Sequence, residues 1–342
     1  MGEMSGFAGT PKGHLGGKFV QKLEAEFRAY FGVNHAVACN SATSALYMAL
    51  VACGVSSGDK VVVTPYSFSA SASCVLMAGA KPVFVDINPD TFNMSPLLPL
   101  GEEAIIPVHL MGHPCTIMST SPKVIEDASQ SIGATYKNKL VGTIGDCGVF
   151  SFNQSKHVSS GEGGMLITNN DDIARIARAV RNHGEVSDPE LGIVGYNYRL
   201  TEIQAAIALE QFKNLDKMNA YRIELANYMT DKLSKIDGLT PPYVAPDCTH
   251  VYYTYAVKFD KEKFGMHRDE FQEKMLKRGF YFGRGYVKPL HLLPIFGGQE
   301  GQYPIAERMW KDELLVFDWL RYPCTKDDVD EAVKTVREVL VL

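Results

Sequence analysis

Residues 124–170, VIEDASQSIGATYKNKLVGTIGDCGVFSFNQSKHVSSGEGGMLITNN, gather side chains that can do chemistry. Lys156 follows the apolar run GVFSF and precedes the glycine-rich GEGG. It can therefore stand at a strand end with backbone free to approach a ligand. An amine held there can form an imine with a carbonyl compound, although a lysine taken alone is ordinarily a solvated surface residue. Asp127 closes the apolar run KVIED, where it is either a site carboxylate or the N-cap of a helix in ASQSIG. The helical pattern opening in NSATSAL, residues 40–46, offers free N–H groups and the positive end of a helix dipole to an anion.

Regular elements must position these groups. Residues 17–31, GKFVQKLEAEFRAYF, place Phe19, Leu23, Phe27 and Phe31 at near-helical spacing, which predicts an amphipathic helix with that side on a core. HAVACNSATSALYMALVACG reads as a strand feeding a helix through a small-residue turn. KVVVTP reads as a strand, SASASCVLMAGA as a helix and KPVFVDI as a strand, and such alternation predicts a mostly parallel sheet covered by helices. AIIPVHL and KVIEDAS end in polar residues at the strand ends where open α/β sheets bind ligands. GVFSF and GGMLITNN are strand-like, DDIARIARAVRNHG is helical, and residues 201–236 read as one long helix bridging two domains. Beyond it the pattern is that of a smaller α+β unit, giving an expected division into 1–219 and 220–342.

A chain of 342 residues is long enough for about two packed domains. Its 46% hydrophobic and 21% charged residues argue for a folded chain throughout. A net charge of -5 gives no general attraction to nucleic acid or acidic membranes, though a local basic pocket could still take a phosphorylated ligand. The seven cysteines are scattered and never spaced as CxxC, so neither a disulfide framework nor a zinc site is expected. No signal-peptide pattern and no apolar run approaching a membrane span is found, and a cytoplasmic protein is expected.

The run E-D-A-x-Q, then G-D-x-x-x-F-S-F-x-x-x-K, then G-E-G-G, resembles the sugar aminotransferase family of DegT/StrS type. The likeness extends over NSATSAL, PVFVDINPDTFN, PVHLMGHP, YNYRLTEIQAAI and PLHLLP in the same order. It implies an α/β protein of pyridoxal 5′-phosphate (PLP)-dependent transferase fold type I, with helices on both faces of the sheet and a smaller C-terminal α+β domain. PLP chemistry needs a lysine, a carboxylate that keeps the pyridine nitrogen protonated, and donors for the phosphate. The resemblance makes Lys156 the Schiff-base lysine and catalytic residue, and Asp127 the partner of the pyridine nitrogen. Gln130 is matched to the phenolic oxygen, Thr43, Ser44 and Ser151 to the phosphate, and Phe68 to the ring face. Asn197 matches a residue that reaches the cofactor phosphate of the other subunit, which implies a homodimer with shared sites. Arg199 matches a residue near the substrate carboxylate or phosphate.

The implied reaction moves an amino group from an amino acid, commonly glutamate, to the 3- or 4-keto carbon of a nucleotide-linked hexose. A free aminocyclitol ketone is the alternative acceptor, and Arg199, Arg284 and Lys288 are possible partners of a nucleotide diphosphate. One relative carries histidine in place of the Schiff-base lysine and dehydrates its sugar. Here Lys156 is present and His157 follows it. A non-catalytic regulator would have no reason to keep Asp127, Gln130, Ser151 and Lys156 together. His109, His250 and His291 read as structural. The chain is shorter than the family around 95–105 and 113–123, and LLVFDWLRYPC departs from the usual L-S-L-P-like strand, leaving small-domain contacts and the substrate open.

Overall fold

The computed structural model describes residues 15–96, 99, 101–117, 123–184 and 191–341. Parts of the two shortened regions, residues 97, 98, 100 and 118–122, lie outside the described residues.

Side chains of a strand alternate between faces, and here they alternate between two cores. In β1 (His35–Cys39), Val37 and Cys39 enter one apolar cluster while Ala36 and Ala38 enter another. Strands β2 (Lys60–Val63), β3 (Lys81–Phe84), β4 (Ala104–Ile105) and β5 (Lys123–Asp127) follow. A short hairpin, β6 (Thr135–Tyr136) and β7 (Lys139–Leu140), precedes β8 (Cys147–Ser151) and β9 (Gly164–Thr168). The main sheet has seven strands in the order β1-β9-β8-β5-β4-β2-β3. Its pairings are parallel except for those of β9, which runs antiparallel to β1 and β8.

Helices α2 (Ala42–Ala52), α3 (Ala70–Met77) and α4 (Asp171–Arg181) close one face. Helices α1 (Lys18–Phe31) and α5 (Glu202–Phe212) close the other, where Phe27 stacks on Phe212 with ring centroids 4.3 Å apart. The expected layering is therefore present. Helix α1 buries Val20, Leu23, Phe27 and Phe31, whereas Phe19 is 40% exposed.

Two local expectations are corrected. AIIPVHL forms a strand only over Ala104–Ile105, because Pro107 has no N–H to continue the ladder. Pro107 instead accepts from Asp127 N at 2.9 Å, and His109 N donates to Asp127 O at 3.0 Å. Residues 201–236 form two helices, α5 and α6 (Leu215–Leu233), rather than one. Asn214 makes the break, its side-chain amide donating to Glu210 O at 3.1 Å in competition with helical backbone bonds.

The second half of α6 enters a third core with a small antiparallel sheet, β10 (Leu239–Thr240), β12 (Tyr255–Phe259) and β13 (Leu314–Phe317). A further strand, β11 (Cys248–Thr249), pairs with β6 and ties this half to the hairpin of the first. Leu215 belongs to the α1–α5 core and Leu225 to the third, so α6 spans both. No helix among the described residues is long and apolar enough to cross a membrane.

Candidate active site

The ends of β5 and β8 and the starts of α2 and α3 open onto a cavity of about 600 Å³, roofed by residues of the C-terminal half. Lys156, Asp127, Gln130, Ser151, Thr43 and Phe68 all line it. These six, spread over 113 positions of the chain (156 against 43), meet in one space.

Asp127 is the last residue of β5 and only 5% exposed. One carboxylate oxygen accepts from Ser71 Oγ at 2.7 Å, and the other from Ser129 N at 3.2 Å. Ser71 Oγ lies 3.1 Å from Ser67 Oγ, so Ser71 of α3 and Ser67 of the turn before it form a hydroxyl pair behind the carboxylate. ASQSIG forms turns, so Asp127 caps no helix. Buried carboxylates need such donors, since desolvation is costly without them.

Its neighbour Glu126 faces the opposite side of β5 and is fully buried. Glu126 accepts from Gly142 N at 2.7 Å, Ile144 N at 2.6 Å and Gly145 N at 2.7 Å, with His109 Nε2 at 2.9 Å. Cys115 N donates to His109 Nδ1 at 2.8 Å, which leaves the proton of a neutral ring on Nε2, toward Glu126. This network fixes the register of β5; a slip of one residue would turn Glu126 into the cavity and Asp127 out of it.

Lys156 sits in the turn after β8, with its N–H donating to Asn153 O at 2.9 Å. Its Nζ lies 4.1 Å from the ring centroid of Tyr253, a cation–π distance. The Tyr253 hydroxyl is 2.9 Å from Ser155 Oγ, and Asn153 Nδ2 donates to Glu162 at 2.8 Å. His157 does not line the cavity. Its Nε2 is 3.1 Å from Val251 O, and burial, with the Arg222 charge adding to it, holds the ring well below the usual histidine range.

Gln130 Oε1 accepts from Met111 N at 2.8 Å, and its Nε2 donates to the Tyr286 hydroxyl at 2.6 Å. Burial pushes that hydroxyl above the usual tyrosine range. At the anion-binding end, Ser41 caps α2 by accepting from Ser44 N at 3.1 Å, and Thr43 is on the wall. Ser44 is not: its hydroxyl donates to Asn40 at 2.7 Å within the turn. A Cβ on Gly164 would stand 2.5 Å from the Ser41 carbonyl carbon, so the last glycine of GEGG is what lets β9 pass under the start of α2. Amine, buried carboxylate and helix start together suit the aldehyde, ring nitrogen and phosphate of PLP.

Asn197 and Arg199 lie outside the cavity of this chain. Asn197 is exposed and bridges to Asn182, whose side chain accepts from Arg199 Nη1 at 2.6 Å. Their segment is set against the site, since Asn40 N donates to Tyr198 O at 2.8 Å. Arg284 pairs with Asp269 at 2.8 Å, and Lys288 does not line the cavity. His250 and His291 are buried, the latter 3.0 Å from Glu307. Sequence reasoning did not single out Ser71, Tyr253, Tyr286 or the Asn153–Glu162 pair; the tyrosines of THVYYTYAVKF carried the only signal, as a polar-tipped aromatic cluster in an apolar strand.

Residues 9–339 match the model of the DegT/DnrJ/EryC1/StrS aminotransferase family. The chain belongs to this family. It is 36% identical to a GDP-perosamine synthase of Caulobacter vibrioides, over 95% of this chain and 91% of that protein. It is 35% identical to a UDP-N-acetyl-3-dehydro-alpha-D-glucosamine 3-aminotransferase of Acidithiobacillus ferrooxidans, over 84% and 80% of the two chains. Among solved structures, DesV of S. venezuelae superposes with a TM-score of 0.87 at 30% identity, covering 95% of this chain and 90% of that one. The expected α/β fold is thus that of PLP-dependent aminotransferases, and the enzyme is a sugar aminotransferase.

Proposed function

We propose that the enzyme transfers an amino group from an amino acid, glutamate, to the 3- or 4-keto carbon of a nucleotide-linked hexose in amino-sugar biosynthesis. The observation that carries this reading is the convergence of Lys156, Asp127 and the start of α2 on one cavity. When bound, PLP supplies an electron sink for the bonds around the amino carbon. Asp127, held by Ser71 and Ser129, takes the pyridine nitrogen and favours its protonated form. Thr43 and Ser151, with the N–H groups of α2, would hold the phosphate, whereas Ser44, turned to Asn40, would support the turn from behind; Phe68 would cover the ring and Gln130 would donate to the phenolic oxygen. Lys156, on the cavity wall, would hold the cofactor's aldehyde through its amine and would be the group that moves a proton at the donor's α-carbon.

Asn197 from a second copy completes the phosphate site, so the working unit is a homodimer in the cytoplasm, and Arg199 stands near the substrate's anionic group. Residues 1–219 act as the large PLP-binding domain and 220–342 as the small C-terminal domain. The relatives named for GDP- and UDP-linked sugars favour a nucleotide-linked acceptor. The enzyme loaded with pyridoxamine phosphate is to be mixed with a panel of keto sugars while the return of the PLP absorbance is followed. Rapid return with nucleotide-linked ketoses is expected. Return only with free cyclitol ketones or simple keto acids would overturn the acceptor.

A further inference from the structure

Among the described residues lining the cavity, Lys156 alone carries a positive side chain, and it is engaged by the chemistry. The two negative charges of a diphosphate need partners elsewhere. Arg284 is paired with Asp269, and Arg222 is buried against the carbonyls of Tyr252 and Tyr253 at 3.2 and 3.4 Å.

A second cleft of about 570 Å³ adjoins the cavity, and Tyr281 and Asp318 line both, so the two spaces are neighbours across these two side chains. Its size falls in the range of about 300–1,000 Å³ usual for small-molecule sites. Phe280, Tyr281, Trp319 and Tyr322 give it aromatic walls, and Arg321 lines it as well. Arg321 Nη1 lies 3.5 Å from the backbone oxygen of Ser155, the residue before Lys156, so its charge stands where cleft and cavity join. Arg321 is exposed and has no acidic partner among the described residues. The indole N–H of Trp319 is buried without an acceptor among the described residues.

We propose that this cleft seats the nucleoside diphosphate of the acceptor, with the base against the aromatic rings and the phosphates on Arg321. The inference rests on the nucleotide-linked reading above. Aromatic faces hold any base through its π-face, and a guanidinium suits phosphate oxygens bidentately. Two carboxylates also line the cleft. Asp328 is taken up by Thr325, accepting from its N–H and its Oγ1 at 2.7 Å each. Asp318, at the junction, is an acceptor suited to sugar hydroxyls and not to phosphate. A ketose linked through its anomeric phosphate would then run from Arg321 toward Lys156. Two of the four aromatic walls, Trp319 and Tyr322, and Arg321 lie in FDWLRYPC, the segment in which this chain departs from the family pattern.

The chain has two tryptophans, so Trp310→Phe leaves Trp319 as the one indole reporter. PLP-loaded protein carrying that change is to be titrated with GDP and with UDP. Saturable quenching of Trp319 emission is expected, with affinity falling about tenfold or more in Arg321→Ala and less in Arg321→Lys. Circular dichroism confirms that the exposed Arg321 variants fold. If calorimetry detects nucleotide binding while Trp319 emission and the Arg321→Ala affinity stay unchanged, the cleft is wrong and the nucleotide-linked acceptor stands. If neither nucleotide binds and pyridoxamine-loaded enzyme converts only free ketones, both readings fall. Emission that ignores nucleotide but changes as subunits dissociate on dilution would mark the cleft as a contact between copies and overturn the proposal.

Discussion

The two walls of the cavity are built differently. On the sheet side, Asp127 is 5% exposed, with Ser71 and Ser129 holding its two oxygens, and the next residue, Glu126, is locked from behind by three backbone N–H groups and His109. On the side of the C-terminal half, Tyr281 is 59% exposed and Asp318 is exposed at the end of β13. On the proposed reading, the first wall orients the reacting groups, which must be held to fractions of an ångström. On the same reading, the second meets the sugar and its carrier, where variation would alter recognition without touching the chemistry. Substitutions on the two walls should therefore fail in different ways.

The largest effect is expected at Lys156. Lys156→Ala should lose the borohydride-fixable attachment of PLP, read by mass spectrometry of the labelled peptide, and turnover should fall by roughly 10³-fold or more. A labelled adduct surviving in that variant would move the covalent anchor off this wall and break the comparison at its centre.

A middle-sized effect is expected at Glu126, in stability rather than in chemistry. Glu126→Gln keeps the shape but turns one acceptor into a donor among the N–H groups of Gly142, Ile144 and Gly145. Leaving such donors unmet in a fully buried network should cost about 3 kcal/mol. The thermal midpoint is then expected to drop by several degrees, with a weaker hold on PLP as the end of β5 loosens. An unchanged midpoint would mean that the sheet wall is not stiffened from behind.

The difference between the walls also explains what was legible in the sequence. The sheet wall was readable because strands and helix starts announce themselves: HAVAC and KVIED are apolar runs, NSATSAL is a small-residue helix start, and Asp127, Ser151 and Lys156 fall at or just beyond strand ends. The resemblance then supplied their roles. Ser71 was not readable, because its partnership with Asp127 joins positions 56 residues apart. Tyr253 and Tyr286 were hidden among other aromatics, and only the tertiary fold aims one at Lys156 and the other at Gln130. Splitting residues 201–236 into two helices turned on a single asparagine amide finding Glu210 O, which periodicity does not register.

Among the bonds that cross from wall to wall, the one between Gln130 and Tyr286 gives the smallest expected effect. Gln130 Nε2 donates to the Tyr286 hydroxyl at 2.6 Å, while Tyr286 N donates to the Tyr66 hydroxyl at 3.3 Å, so Tyr286 stitches the C-terminal half to the sheet. Tyr286→Phe removes the hydroxyl and keeps the ring against Tyr66, whose centroid is 5.3 Å away. Gln130 keeps Met111 N on its oxygen, so its amide loses one acceptor and stays oriented. A neutral hydrogen bond of this kind contributes about 1 kcal/mol, which corresponds to roughly a fivefold change. That loss should appear in KM for the keto sugar, because the hydroxyl positions the recognition wall, and kcat should hold. Should kcat fall instead, by an amount approaching that of Lys156→Ala, the Tyr286 hydroxyl belongs to the reacting wall and the boundary between the two must be redrawn through the C-terminal half.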